Sequence, residues 1–281
     1  MIDLHCHILP GIDDGAADVA MSLEMARMFV ADGVHTVACT PHILPGVYAN
    51  SGPQILQAIA QLQSAVDAAG IPLQLVAGAD NHIVSNFVQG LHSGHLLSLA
   101  GSRYVLVEPP HHVLPPRLDE LFFSILVAGY VPILTHPERL TWIKGHYDLV
   151  RRLAGSGVWM QITAGSLTGR FGKSAAYWSE KMLSEGIVHI LATDAHDTSR
   201  RPPILGTGRE LAARRVGDAE AEHLVVTRPR AVVENALPGS VLRPQVVRDS
   251  GQREGSVSAD EASDPNRMRG GVFGRLRRLF E

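Results

Sequence analysis

The chain has only two cysteines, Cys6 and Cys39, in 281 residues. Two thiols cannot build a disulfide framework, so a reducing compartment is the expected setting. Neither serves a cysteine-dependent phosphatase, which needs an arginine six residues past the thiolate; Ile12 and Pro45 stand there. Both are expected to pack as small apolar side chains. No apolar run reaches membrane-span length, and the opening MIDLHCHILPG lacks the regions of a signal peptide. There is no G-x-x-x-x-G-K-[ST] loop, no G-x-S-x-G elbow and no internal repeat. Aromatics make up 5% of the chain, and a formal charge of −3 argues against a dedicated nucleic-acid binder. Trp142, Trp159 and Trp178 are widely spaced and are expected in the core. With 45% hydrophobic and 19% charged residues, what remains is a globular protein, expected in the cytoplasm.

Histidine, by contrast, is abundant at 14 residues. The chain alternates short apolar runs with helical stretches. The patterning predicts strands over 2–7, 34–40, 73–77, 104–108, 131–135, 158–162 and 187–192. Helices are predicted over 19–31, 55–69, 118–128, 148–154 and 175–184, several of them stopped by glycine. Seven strands with intervening helices predict a parallel α/β fold, most specifically a barrel. The composition changes near residue 242: a barrel domain is expected over 1–242, and a disordered linker with an Arg-rich tail over 243–281. The last stretch, 267–281, carries five Arg beside Val272, Phe273, Leu276, Leu279 and Phe280. If helical, it would offer an amphipathic face to a membrane surface or a partner; the plainer expectation is a frayed basic tail.

The histidines recur at strand ends. His5 and His7 close the first strand, where an i, i+2 pair projects to one face and Cys6 to the other. His42, Asp80, Glu108, His136, Asp194 and His196 each stand at or just past the end of a later apolar strand, and Asp14 follows the first strand closely. In parallel barrels these ends share one rim, where active sites lie. Charges there are costly unless paired or bound to metal. Nine such groups exceed what one ion needs, and imidazole with carboxylate but no thiolate suits Mn, Fe or Zn in a site of two or three ions. Arg139 and Arg201 adjoin these residues, a pairing suited to phosphate, although Arg200 is a competitor for the second role. His111 and His112 follow Glu108 on a loop, where His111 is a candidate to touch substrate. His82, two residues past Asp80, is a candidate to support the ligands. His35, His92, His95, His146, His189 and His223 are expected at the surface or in packing.

In Met1–Gly15, Thr40-Pro41-His42, Gly78-Ala79-Asp80, Arg103-Tyr104 with Glu108, His136-x-Glu138-Arg139, and Asp194-x-His196 with Arg201-Pro202-Pro203, the chain resembles the polymerase-and-histidinol-phosphatase (PHP) superfamily. It is most similar to the metal-dependent protein-tyrosine phosphatases of bacterial capsule and exopolysaccharide loci, over about residues 1–238. The resemblance implies a distorted (β/α)7 TIM-like barrel and a trinuclear, manganese-preferring site. It places one metal on His5, His7, Asp80 and Asp194, a second on Asp80, Glu108 and His136, and a third on Asp14, His42 and His196. Asp80 stands where the family usually has a glutamate, one methylene longer. The resemblance further implies phosphate binding by Arg139 and Arg201 and hydrolysis of phosphotyrosine by metal-hydroxide attack without a phosphoenzyme. The partner it implies is a tyrosine-phosphorylated autokinase of polysaccharide synthesis at the inner membrane. Two readings compete: a PHP phosphatase of a small phosphomonoester such as histidinol phosphate or a sugar phosphate, and a non-enzymatic metal-binding regulator.

Overall fold

The computed structural model describes residues 1–246. The expected tail, beyond its first four residues, lies outside the described residues, as does its candidate membrane contact.

Nine strand segments occupy seven positions. They are β1 (Ile2–Cys6), β2 (Thr36–Cys39), β3 (His42–Ile43), β4 (Gln74–Ala77), β5 (Asp80–His82), β6 (Tyr104–Glu108), β7 (Val131–Thr135), β8 (Trp159–Thr163) and β9 (Ile190–Ala192). The pairs β2/β3 and β4/β5 are single paths, each interrupted for two residues, at Thr40-Pro41 and Gly78-Ala79. Proline has no N–H to give the ladder, so the first break is local chemistry. Pairing resumes past it, with Asp80 N–H donating to the Pro41 carbonyl at 3.1 Å. All paired strands are parallel, in the order β1-β2-β4 and β3-β5-β6-β7-β8-β9. The ring closes just past β9: Asp194 N–H donates to the His5 carbonyl at 2.8 Å, and His7 N–H to the Ala195 carbonyl at 2.9 Å. The predicted seven-position α/β barrel is thus what forms.

Helices cover the outside, beginning with α1 (Val19–Ala31), α2 (Gly52–Ala68) and α3 (Phe87–His92). Next come α4 (Leu118–Val127), α5 (Ile143–Gly155), α6 (Ala164–Leu167) and α7 (Gly172–Ser184), and then α8 (Gly206–Val216), α9 (Asp218–Glu222) and α10 (Arg228–Val233). Predicted helix 55–69 begins three residues earlier, because Pro53 suits a first helical turn. Predicted helix 148–154 starts at Ile143, with non-helical φ/ψ at His146.

Two apolar clusters hold the ring. The inner one joins Leu4, Ala38, Leu106, Ile133 and Ile190, and is closed by Tyr104 and Trp159, whose ring centroids lie 4.7 Å apart. The outer one runs between strands and helices, and takes in Cys6 and Cys39, both fully buried, along with Trp142 and Trp178. The strands' inward alternation is apolar at first and polar at the last turn: Tyr104, Leu106, Glu108 on β6, and Ile190, Ala192, then Asp194. On β1 the register slips between Asp3 and Cys6. Ile2 and Leu4 belong to the inner cluster and Cys6 to the outer one, so past the slip His5 and His7 carry the inward face.

Candidate metal centre

All nine sequence-predicted ligands meet at the C-terminal rim of the ring. His5 Nε2 stands 3.5 Å from Asp80 Oδ2, 3.4 Å from Asp194 Oδ1 and 3.3 Å from His7 Nε2. His7 Nε2 is itself 3.3 Å from Asp194 Oδ1. His42 Nδ1 lies 3.3 Å from Asp80 Oδ2 and 3.2 Å from Glu108 Oε2, while its Nε2 is 3.5 Å from Asp14 Oδ1. His196 Nε2 approaches the same Asp14 oxygen at 3.4 Å, and His136 Nε2 approaches Glu108 Oε1 at 3.4 Å. Except for Asp14 and His42, all of them are buried.

Two of these residues sit on unusual backbone. His136 (φ 33°) and Asp194 (φ 52°) are left-handed, a conformation costly outside glycine and typical of functional sites. His136 directly follows the last residue of β7 and Asp194 stands two residues past the end of β9, so both lie where the chain leaves its strand at the ring mouth.

Beneath the ligands lie hydrogen bonds that fix which ring nitrogen faces inward. His5 Nδ1 pairs with Gln161 Oε1 at 2.9 Å, and His7 Nδ1 with Asp13 Oδ2 at 2.7 Å, which presents both Nε2 atoms to the cluster. Asp13 also accepts from the His42 backbone N–H (3.1 Å) and from Gly15 N–H (2.9 Å), tying the first loop to both histidines. Asp3 accepts from Thr193 and His5 backbone N–H groups at 3.1–3.2 Å, and burial raises its carboxyl to about 6.

The electrostatics are those of opposed charges packed without solvent. Burial and Glu108 push Asp80 up, but His5 and His42 outweigh them and hold it at about 2. Burial is likewise overcome at Asp194, held well below the usual carboxylate range by Arg201, His5 and Arg139. Glu108 is held well below its usual range by four histidines against its burial. Against the burial of their rings, Asp194 and Asp80 raise His5 to about 9, and Asp80 and Glu108 raise His42 to about 11. His136 and His196 go the other way, to about 4, through burial first and then Arg139 and His7 respectively.

Six buried atoms here make no hydrogen bond: His42 Nδ1, both Asp80 oxygens, Glu108 Oε2, His136 Nδ1 and His196 Nε2. Burying so many unpaired polar atoms is costly unless something else binds them. Imidazole nitrogens and carboxylate oxygens converging within one ion's reach fit first-row divalent cations. Five groups have ligand atoms mutually within 4.8 Å: His5-His7-Asp80; His5-His136-Asp194; His7-Asp14-His42-His196; His42-His82-Glu108; and Glu108-His111-His136. The residues fit a multinuclear centre. These groups also divide the ligands differently from the sets that the resemblance implies, with His7 beside Asp14 and with Glu108 shared by His82 and His111.

Arg139 and Arg201 both reach Asp194 Oδ2, the latter at 2.5 Å. Arg200 points away, 90% exposed and 3.6 Å from Asp197, so the geometry favours Arg201 of the two. His111 is turned on Glu108 Oε1 at 3.2 Å, and His82 contacts Glu108 Oε2. Sequence reasoning passed over Asp13, Gln161, Tyr48 and Phe171. The Phe171 ring lies under Arg139, 4.3 Å from Cζ to centroid, and 5.8 Å from Arg201 Cζ. Tyr48 lies nearly parallel to the His42 ring, centroids 5.6 Å apart. Glycines on both sides of Arg170-Phe171, in a chain poor in aromatics, were the one available signal for Phe171.

The family described as "Capsular polysaccharide synthesis, CpsB/CapC" matches residues 1–234. The chain is 39% identical over 201 residues to tyrosine-protein phosphatase YwqE of Bacillus subtilis (strain 168), covering 72% of this chain and 79% of that protein. It is 25% identical over 242 residues to tyrosine-protein phosphatase CpsB of Streptococcus pneumoniae, covering 84% of this chain and all of that one. A solved chain from the crystal structures of YwqE and CpsB, described as unique metal-dependent tyrosine phosphatases, superposes with a TM-score of 0.82 at 34% identity, over 89% of this chain and 100% of its own. A β-aspartyl dipeptidase from Fervidobacterium islandicum AW-1 superposes at 0.52 with 15% identity, over 83% of this chain and 74% of its own, a likeness of fold alone. Matched over its whole ring, the chain belongs to the CpsB/CapC family of capsular polysaccharide synthesis.

Proposed function

We propose that the chain is a metal-dependent protein-tyrosine phosphatase that removes phosphate from a tyrosine-phosphorylated protein in capsular or exopolysaccharide synthesis. The observation that carries the reading is the rim itself: nine convergent His, Asp and Glu side chains, six of whose buried polar atoms lack a hydrogen-bond partner, edged by two arginines. His5, His7, Asp14, His42, Asp80, Glu108, His136, Asp194 and His196 would hold divalent ions, manganese by preference with iron or zinc as substitutes. Bound there, such ions polarise phosphoryl oxygens and lower the pKa of water.

The chain's own contribution is position. Arg139 and Arg201 present guanidinium forks on the same edge of the cluster, suited to two oxygens of a phosphoryl group. The Phe171 face backs both forks and limits their swing. Gln161 and Asp13 hold His5 and His7 in the tautomer that leaves Nε2 free for the ions. His111, partly exposed beside Glu108, is the side chain proposed to meet an entering phosphotyrosine. No cysteine takes part: Cys6 is fully buried, and burial lifts its thiol well above the ordinary range. A polysaccharide-locus autokinase is the proposed substrate, met at the cytoplasmic face of the membrane. Among the described residues no helix is long and apolar enough to cross a membrane.

The test is phosphate release from a phosphotyrosyl peptide and from histidinol phosphate, with Mn²⁺ and then with EDTA. Mn²⁺-dependent turnover of the peptide, lost in His136→Ala and kept in Cys6→Ser, is the expected result. Preference for histidinol phosphate, or a folded, metal-loaded Cys6→Ser enzyme without activity, would overturn the reading.

A further inference from the structure

Beside the arginine edge lies a concavity of about 120 Å³, outside the metal cluster, whose walls include Thr168, Arg170, Phe171, Arg201 and Thr207. It shares Arg201 and Phe171 with the edge already described, so its contents would sit one guanidinium away from Asp194. Its far wall is Arg170, an exposed side chain whose Nη1 donates to the Arg200 carbonyl at 2.5 Å. That contact anchors the arm without neutralising it. Among the described residues no carboxylate pairs with Arg170, while the neighbouring Arg200 is shared with Asp197 at 3.6 Å. On the near wall the Nε of Arg201 is buried with no hydrogen-bond partner. Arg201 Nη2 is spent on Asp194, so a second acceptor is still owed to this guanidinium.

Two guanidiniums around a space this small, with the Thr207 hydroxyl beside them, suit a compact anion. Resting on the phosphotyrosine-phosphatase reading, we propose that this niche is a secondary subsite for an anionic group of the substrate protein near the scissile phosphotyrosine. Its ligand is a carboxylate of a flanking Asp or Glu, or a second phosphoryl group; the two share the same chemistry toward Arg170. The subsite makes the enzyme select acidic sequence around the tyrosine it dephosphorylates, a preference that the metal cluster cannot supply because it sees only the ester.

The experiment uses the full chain loaded with Mn²⁺. Three phosphotyrosyl peptides of one length carry flanking Glu, flanking Gln or a second phosphotyrosine, and p-nitrophenyl phosphate reports the bare chemistry. For the wild type, KM for the Glu peptide is expected about tenfold below that for the Gln peptide, the size of one charged hydrogen bond at a partly exposed site. Arg170→Ala is expected to erase that difference, leave kcat on p-nitrophenyl phosphate unchanged, and be partly rescued by Arg170→Lys. The wild-type advantage should also shrink in 0.5 M NaCl. If only the doubly phosphorylated peptide is favoured, and Arg170→Ala removes that advantage, the ligand is a phosphoryl group. Equal KM values for all three peptides in the wild type, or an advantage that survives Arg170→Ala, would overturn the subsite while leaving the phosphatase reading intact. An equal fall of every substrate in Arg170→Ala would overturn it too, by making the residue a support of the rim. A wild type that turns over p-nitrophenyl phosphate but no phosphotyrosyl peptide defeats the phosphatase reading itself.

Discussion

Gly15→Ala offers a sharp test of how the first loop builds the site. The glycine is not required for its dihedral angles; it is required because the loop lies directly on His7. A Cβ at position 15 would fall 2.1 Å from the His7 carbonyl oxygen and 2.5 Å from the His7 Cβ. Both neighbours are held: the His7 carbonyl accepts from Ala16 N–H at 3.0 Å, and His7 N–H is bonded to Ala195 across the ring closure. The loop must therefore lift, by about 1 Å to restore van der Waals contact, and a misplacement of that size costs on the order of 100-fold in rate. Lifting it withdraws Asp13 from His7 Nδ1 and Asp14 from His42 and His196 together. Overpacking by one methyl costs only about 1–3 kcal/mol of stability, so the fold should survive. The expected signature is a split: kcat on a phosphotyrosyl peptide down about 100-fold with reduced metal content, and a modest loss in urea stability. Gly155→Ala, where an added Cβ meets nothing within 4 Å, is the matched control and should be silent in turnover. Wild-type kcat and metal content in a folded Gly15→Ala protein would refute the argument that the loop's contact with His7 sets the ligand geometry.

Two further predictions concern the opposite end of the ring. Arg228 is fully buried, held by Glu220 Oε1 at 2.7 Å and by the Leu242 carbonyl at 2.8 Å; Glu220→Gln should cost about 3 kcal/mol, with much of it recovered in Arg228→Met/Glu220→Leu. Urea midpoints decide it, and a loss under about 1 kcal/mol would show that the pair is not what satisfies that charge. His189, stacked on Trp159 and accepting from Met160 N–H at 3.2 Å, is held down to about 3 by burial and by Arg228. Between pH 6.5 and that value the unfolded chain takes up a proton that the folded chain refuses, so stability falls as pH falls. From pH 6.5 to 5 wild type should lose about 2 kcal/mol more than His189→Gln; parallel slopes in the two proteins would remove His189 as the cause.

The parts of the molecule legible in sequence are those where one physical rule acts alone. Strands buried on both faces read as continuous apolar runs, so all seven ring positions were visible, and parallel topology then placed their polar ends on one rim. That was enough to gather His5, His42, Asp80, Glu108, His136 and Asp194, although the chain separates them by up to 189 residues. The pairings inside the cluster were not legible, because they depend on where the backbone turns. The left-handed conformation of His136 and the register slip in β1 redirect side chains by angles that no periodicity encodes. Asp13 and Asp14 are adjacent in sequence and opposite in role: one carboxylate steadies His7 from behind, the other faces His42 and His196. Gln161 and Phe171 act through residues distant in the chain, on His5 and on Arg139, so the flanking glycines of Phe171 were the only local signature that either carried.

The ring closes between its first strand and the turn after its last, and that closure has a consequence for synthesis. His5 and His7 leave the ribosome about 190 residues before Asp194 and His196, which stand against them. At translation rates of roughly 5–20 residues per second, the early histidines wait on the order of 10–40 s for their partners. Until then the nascent chain offers an incomplete pocket, and a divalent ion that binds it gains only a fraction of the final coordination. Ion capture at the proposed centre would therefore belong to the end of synthesis, and occupancy of that centre would report that the seventh strand has found the first.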